Sequence, residues 1–349
     1  MASTHRLRAG PAVTLLVAAL AVLLAVVPLA GTAQAGTTTR LTANDNVEAA
    51  LAFSEVTYDA GTASEVFLAR DNLFADSLAS GSAQGAAEAP LLLNPEETLD
   101  PRVVVELERL GAQRVIVLGG SDAVGGVVDT ELDALGYEVE RVFGRTRIET
   151  AVAITERFFP SATRAVVARA FASREPTQAF ADSMATGVYS AGTNLPVLYT
   201  QTGVLTGSTR DFLASSTIIE INIAGGTDAV SEDVADQIRE LGIEVNRLAG
   251  SNRFVTAIEM AADRSFTSAA RTSRVVLVDS MREDAWAPGF AAAAQTAGGG
   301  APLVLAAGDD IPRETREYLE DANGRVSLLC APYVSQTACD AASEAVGNQ

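Results

Sequence analysis

The sequence predicts an α/β protein: three tandem Rossmann-like repeat domains, each a doubly wound parallel sheet, arranged as a pseudo-trimer. Two observations lead there. Four short markers recur in register at an interval of 106 residues, and between them near-continuous apolar runs alternate with helical patterns.

The 349 residues begin with a segment of a different kind. His5, Arg6 and Arg8 precede an apolar run from Pro11 to Ala30, and Ala33-Gln34-Ala35 has the small-x-small pattern of a signal-peptidase site. Residues 1–35 are therefore read as a secretory signal, with an uncleaved anchor as the alternative because the run is long for a signal. No second segment is apolar enough to span a bilayer, and no Leu-Pro-x-Thr-Gly sorting signal stands near the C-terminus. The expectation is a secreted chain, without a stable membrane span after cleavage, that holds any surface location without a covalent handle.

The repeat organises the rest of the chain into units 36–140, 141–246 and 247–349. Phe74-Ala-Asp-Ser-Leu-Ala recurs as Phe180-Ala-Asp-Ser-Met-Ala and then as Trp286-Ala-Pro-Gly-Phe-Ala. Pro90-Leu-Leu-Leu returns as Pro196-Val-Leu-Tyr and Pro302-Leu-Val-Leu, and Gly119-Gly-Ser-Asp-Ala-Val as Gly225-Gly-Thr-Asp-Ala-Val, with Ala331-Pro332 at the third position. Arg141-Val-Phe-Gly-Arg-Thr-Arg-Ile-Glu-Thr-Ala returns as Arg247-Leu-Ala-Gly-Ser-Asn-Arg-Phe-Val-Thr-Ala, with a degenerate copy at Arg40.

Within each unit, runs such as Val66–Ala69, Leu91–Leu93 and Val115–Leu118 are apolar on both faces, as strands of a covered parallel sheet must be. Helices lie between them. Asp100 caps the one that Pro101 opens and Gly111 stops, with Val104, Leu107 and Leu110 on one face. Ser231 and Gly242 bracket another, with Val234, Ile238 and Leu241 facing inward.

Composition excludes much chemistry. All 25 basic residues are Arg, against 44 acids, and His5 is the single histidine. A chain without Lys has no Schiff-base or P-loop lysine, and one without His beyond its leader has no Ser-His-Asp triad or His-ligated zinc. No cofactor motif is present. The net charge of −19 opposes nucleic-acid binding and diffuse adhesion to an anionic wall, so a wall polymer would need a local Arg-lined pocket.

The repeated markers resemble the cell wall binding repeat 2 family of secreted Gram-positive surface proteins, whose hallmarks are Arg-x-x-Gly-x-x-Arg-x-x-Thr-Ala, Phe-Ala-Asp and a Gly-Gly pair. The resemblance implies a non-catalytic module that attaches non-covalently to a wall polymer, either an anionic secondary polymer or peptidoglycan. The three units leave no stretch for a separate effector domain, so the expectation is a binding module standing alone. Arg141, Gly144, Arg147 and Thr150 match fully, as do Arg247, Gly250, Arg253 and Thr256. The first unit keeps Arg40 but has Ala43, Asn46 and Ala49 at the other places. The acid of Phe-Ala-Asp stands at Asp76 and Asp182, with Pro288 in the third unit.

The candidate polymer-binding residues are accordingly Arg141, Arg145, Arg147, Thr150, Arg247, Arg253, Thr256 and Asp182. Alternatives stay open for each. Arg147 and Arg253, at the entrance of a helix whose face carries Ala151, Ile154 and Phe158, can grip an acid bidentately or fix one unit against the next; the structural role is preferred. Arg145 is extra to the family pattern. The Gly-Gly turns can gather an anion on backbone N–H groups, or be tight turns with Asp122 and Asp228 as caps. Asp76 and Asp182 are expected to cap small Ala- and Ser-rich helices; a glycan hydrolase using such carboxylates is the enzymatic alternative, and a surface adhesion scaffold the third. Cys330 and Cys339, the two cysteines of an exported chain, are expected to form a disulfide.

Overall fold

The computed structural model describes Met1 and residues 36–172, 175–263, 273–296, 300–322 and 326–348. The signal segment, with His5, Arg6 and Arg8, lies outside the described residues apart from Met1. Among the described residues no helix is long and apolar enough to cross a membrane.

Among the described residues twelve strands form three four-stranded sheets, all parallel. The first contains β2 (Glu65–Arg70), β3 (Leu91–Asn94), β4 (Arg114–Leu118) and β5 (Glu138–Val142), in the order β3-β2-β4-β5. The second repeats it with β6 (Arg164–Arg169), β7 (Val197–Thr200), β8 (Glu220–Ala224) and β9 (Glu244–Leu248), in the order β7-β6-β8-β9. The third holds β10 (Arg274–Asp279), β11 (Leu303–Ala306) and β12 (Ser327–Cys330). Its fourth strand is β1 (Thr38–Arg40), from the other end of the chain. β1 runs beside β12 with Thr38 opposite Leu328 and Arg40 opposite Cys330. Each sheet thus takes its outer strand from the next sequence period, and the third takes it from the beginning of the chain.

The predicted apolar runs are β2, β3 and β4 with their counterparts, and their side chains are buried on both faces. The strands β5 and β9, at the other edges, are not apparent as apolar runs. Glu138-Val-Glu-Arg-Val and Glu244-Val-Asn-Arg-Leu carry two apolar residues each, three positions apart, and read neither as an apolar run nor as a strict alternation.

Three helices open the units and cover the sheets: α1 (Asn46–Thr57), α5 (Arg147–Phe158) and α9 (Arg253–Ala262). Their caps are Asp45, Thr146 and Asn252, each accepting a backbone N–H of the first turn. The opposite faces carry α3 (Pro101–Leu110) and α4 (Gly126–Ala134), α7 (Gly207–Ser215) and α8 (Glu232–Arg239), and α11 (Arg313–Ala322) and α12 (Gln336–Val346). Asp100, Pro101 and Gly111 delimit α3 as expected, and Ser231 caps α8.

The remaining helices, α2 (Ser80–Ala87), α6 (Ala181–Thr193) and α10 (Trp286–Ala291), pack against one another where the three units meet. Small residues permit this approach: a Cβ on Gly81 would fall 2.6 Å from the Gly187 Cα, and one on Gly289 would fall 2.1 Å from the Met184 Sδ. Phe74, Phe180 and Trp286, the first residues of the recurring marker, pack edge to face or tilted nearby.

Asp76 and Asp182 are not helix caps, contrary to expectation. α2 begins behind Ala79 and α6 behind Phe180, neither with a side-chain cap, and Asp182 already lies in the first turn of α6. Asp122 and Asp228 likewise do not cap: α4 is preceded by Gly125 and α8 by Ser231.

Candidate functional site

In each of the first two sheets the chain order reverses between two neighbouring strands, so that from β2 and β4, and equally from β6 and β8, the chain continues to opposite edges of the sheet. In doubly wound folds such a switch point is where ligands bind. A cleft opens at both. The first, of about 460 Å³, is lined by Arg70 at the end of β2, by Asp76, by the turn Gly120–Ala123 after β4, and by Phe143–Arg147. The second, of about 310 Å³, is lined by the equivalents Arg169, Asp182, Gly226–Ala229 and Gly250–Arg253, with Gln178 and Thr256.

The opening arginines build the turns rather than line the clefts. Arg141 donates to the carbonyls of Gly119 (2.9 Å) and Val124 (2.6 Å) and pairs with Asp129 (2.6 Å). Arg247 donates to those of Gly225 and Val230, both at 2.9 Å, and pairs with Glu232. Gly119 and Gly225 adopt φ of +105° and +94°, which an L side chain rarely does. The threonines are buried and brace the loop before their helix, although Thr256 also reaches the second cleft. The Thr150 Oγ1 accepts the Gly144 N–H (3.1 Å) and donates to Asp76 (3.0 Å), and Thr256 accepts the Gly250 N–H (3.1 Å).

Arg147 and Arg253 are different. Arg147 donates to the Ala170 carbonyl (3.1 Å), and its guanidinium carbon lies 4.9 Å from the ring centres of both Phe74 and Phe171. Arg253 donates to the Ser280 carbonyl (2.8 Å) and to Thr177 (3.0 Å). Neither has a carboxylate within 4.0 Å among the described residues, and burial holds both guanidinium groups below their ordinary pKa. Both also line the clefts. The carbonyl contact is common to all units, because in the first one Asn46 donates its amide to the equivalent carbonyl of Asp71 (2.8 Å).

Arg70 and Arg169 were missed in the sequence, although each ends an equivalent strand after Ala69 or Ala168. Arg169 pairs with Asp182 at 2.9 Å, with both side chains buried, and Arg70 reaches Glu96 at 3.8 Å. Burial pushes the Asp182 and Asp76 carboxyls up; nearby arginines oppose this in both, and Thr150 does so for Asp76. Arg145 is exposed and pairs with Glu149 (3.1 Å). Asp76 and Asp182 face different clefts, so the geometry does not bring them together as a pair.

The third switch point departs from the other two. Asp279 ends β10 where Arg70 and Arg169 end their strands, and its carboxylate accepts the N–H groups of Met281 and Gly308. The turn after β12 is two residues shorter, and Tyr333 adopts φ +72°. Cys330 and Cys339 form the expected disulfide across that turn. Among the described residues no group of acids and cysteines is arranged to hold a metal ion.

Comparison with known proteins agrees with the repeats. The chain is 36% identical over 132 residues to the N-acetylmuramoyl-L-alanine amidase LytC of Bacillus subtilis, covering 38% of this chain and 25% of that one. It is 24% identical over 189 residues to the amidase enhancer of the same organism, covering 54% and 24%. Among solved structures, Cwp8 from Clostridium difficile superposes with a TM-score of 0.75 at 22% identity over 89% of this chain and 52% of that one. Cwp6 from the same organism does so with 0.76 at 17% over 90% and 48%. The chain spans about a quarter of the two relatives and about half of the two structures, whose likeness concerns the fold. Residues 40–128 and 141–235, more than half of the chain, match Cell wall binding domain 2 (CWB2), and the protein belongs to that cell-wall-binding family.

Proposed function

We propose that this protein is exported and attaches non-covalently to the wall, holding an anionic wall polymer in its two clefts without turning it over. The observation that carries the reading is the state of Arg147 and Arg253. In a chain of net charge −19, two arginines that form no ion pair within 4.0 Å among the described residues face equivalent clefts at switch points, each with one carboxylate, Asp76 or Asp182, in the same cleft. Their carbonyl contacts fix each guanidinium and leave further N–H donors for an acid group. Beside each stands a Gly-Gly turn, with the N–H groups of Ser121 and Asp122, or Thr227 and Asp228, available to the same ligand. Localised recognition of this kind lets an acidic protein bind an acidic polymer that its overall field repels.

A non-catalytic role is supported by the carboxylates. Asp182 is committed to Arg169 and Asp76 to Thr150, in separate clefts, whereas glycoside hydrolysis requires two carboxyl groups flanking one bond. Co-sedimentation with purified walls tests the proposal. The chain is expected to pellet with intact walls, to stay in solution after acid extraction of their anionic polymers, and to weaken in Arg147→Ala and Arg253→Ala. Undiminished pelleting with extracted walls would overturn it.

A further inference from the structure

We propose that the two clefts are not equivalent, and that in the first Phe143 is a stacking platform for one sugar ring of an acidic glycan whose acid group sits on Arg145 and Arg147. The inference rests on the reading that the clefts hold an anionic polymer, and it adds which chemical unit the first one selects.

The clefts share a backbone plan but differ in three side chains. Phe143 in the first corresponds to Ala249 in the second, Arg145 to Ser251, and Phe171 to Met281. Phe143 is 50% exposed and Phe171 44%, and these are the exposed aromatic side chains among the described residues. Phe143 lines the first cleft, and Phe171 lies against Arg147, which lines it too. Buried aromatics elsewhere in the fold are explained by its cores; these two have no such explanation.

Phe143 lies beside Gly120, where a Cβ would come 3.3 Å from the Phe143 Cδ2. The glycine thus keeps the ring's neighbourhood open on the cleft side. Arg145, with 90% of its side chain exposed, stands two residues later, and its Glu149 partner orients it without burying it. Phe171 and Phe74 both contact the Arg147 guanidinium, which restricts its motion. The first cleft therefore combines an exposed ring face, two adjacent cations and a larger volume, about 460 Å³ against 310 Å³.

This arrangement discriminates by chemistry. The C–H-rich face of a pyranose presents partial positive charge to the negative π face of a phenyl ring. A carboxylate or phosphate on that sugar then meets arginine donors. A linear polyol phosphate carries the acid but offers no ring face. The second cleft, without an aromatic side chain among the described residues of its lining, recognises the acid alone.

Isothermal titration of the full chain with a tetragalacturonate and with a glycerol-phosphate oligomer of equal charge tests the inference. The uronate is expected to bind one site about tenfold more tightly than the polyol phosphate. Phe143→Ala should abolish that preference while leaving the polyol phosphate affinity unchanged, and Phe143→Tyr should retain it. Equal affinities in the wild-type chain, or a preference that survives Phe143→Ala, would overturn the inference. Wall pelleting read on the same samples separates the two claims, since a chain that still pellets in an Arg147- and Arg253-dependent way has lost only the sugar selectivity.

Discussion

Arg40 and Val334 are joined across 294 residues of chain: the guanidinium Nε and Nη2 both donate to one carbonyl oxygen, at 3.2 and 2.9 Å. The same contact recurs as Arg141 to Val124 and Arg247 to Val230, within neighbouring segments of chain. The arginine that opens each sequence repeat therefore clamps the turn of the sheet before it. In the third unit this clamp also fastens the beginning of the described repeats to their end. Arg40→Ala is expected to destabilise the fold by about 1.5–3 kcal/mol, the range for hydrogen bonds from a charged donor. Denaturant unfolding followed by circular dichroism checks this, and an unchanged midpoint would contradict the clamp.

The disulfide lies on the same turn. Cys330 ends β12 and Cys339 sits in α12, with Val334 in the loop between them. A loop this short contributes under about 3 kcal/mol. Cys330→Ser/Cys339→Ser is expected to lose up to that amount, and to couple to Arg40→Ala because both order Val334. A double-mutant cycle should give an interaction energy above about 0.5 kcal/mol; strict additivity would place the two devices in separate networks.

Two glycines contrast within a few turns of each other. A Cβ on Gly144 would lie 2.2 Å from the Glu149 Cβ, whereas one on Gly126, at the start of α4, meets nothing within 4 Å. Gly144→Ala should therefore cost about 1–3 kcal/mol or more through forced displacement of α5. Gly126→Ala should be neutral or stabilising by up to about 1 kcal/mol. Thermal unfolding of both variants distinguishes a packing requirement from general intolerance.

Asp76 makes stability depend on pH in a definite direction. Burial raises its folded-state pKa, so its ionisation opposes folding. That penalty is absent below the unfolded value near pH 4 and complete once pH passes the raised folded value. Asp76→Asn keeps an acceptor for the Thr150 hydroxyl but carries no charge. The unfolding free energy of the variant minus that of the wild type should rise with pH above about 4 and level off at higher pH. Denaturant titrations from acid to neutral pH read this difference directly, and a fall with rising pH would contradict the assignment.

Much of the architecture is legible because burial on both faces leaves a simple trace. Val115–Leu118 and Ala165–Ala168 can only be inner strands, and Asp100-Pro101 announces a helix start. β5 and β9 leave a weaker trace, since Glu138–Val142 mixes three charged residues with two valines and shows neither an apolar run nor an alternation. The pairing of β1 with β12 is not legible at all: three residues, Thr38–Arg40, find their partners almost 300 positions away, and no local pattern encodes that distance. Asp182 reads as a cap, but its helix starts two residues earlier than such a cap would place it, and its partner Arg169 lies on a neighbouring strand. Arg141 and Arg147 stand six residues apart in one motif. Only the fold reveals that the first clamps a turn while the second faces a cleft.

Where the polymer touches the protein decides whether the two clefts are its binding sites. Polymer released from walls by acid extraction would be titrated into the 15N-labelled chain, and amide and arginine Nε–H resonances followed. Shifts are expected at Gly120–Asp122, Gly226–Asp228 and the Arg147 and Arg253 side chains, with the turn at Pro332–Tyr333 unaffected. Shifts confined to other surfaces, or equal shifts at all three switch points, would contradict binding in the clefts.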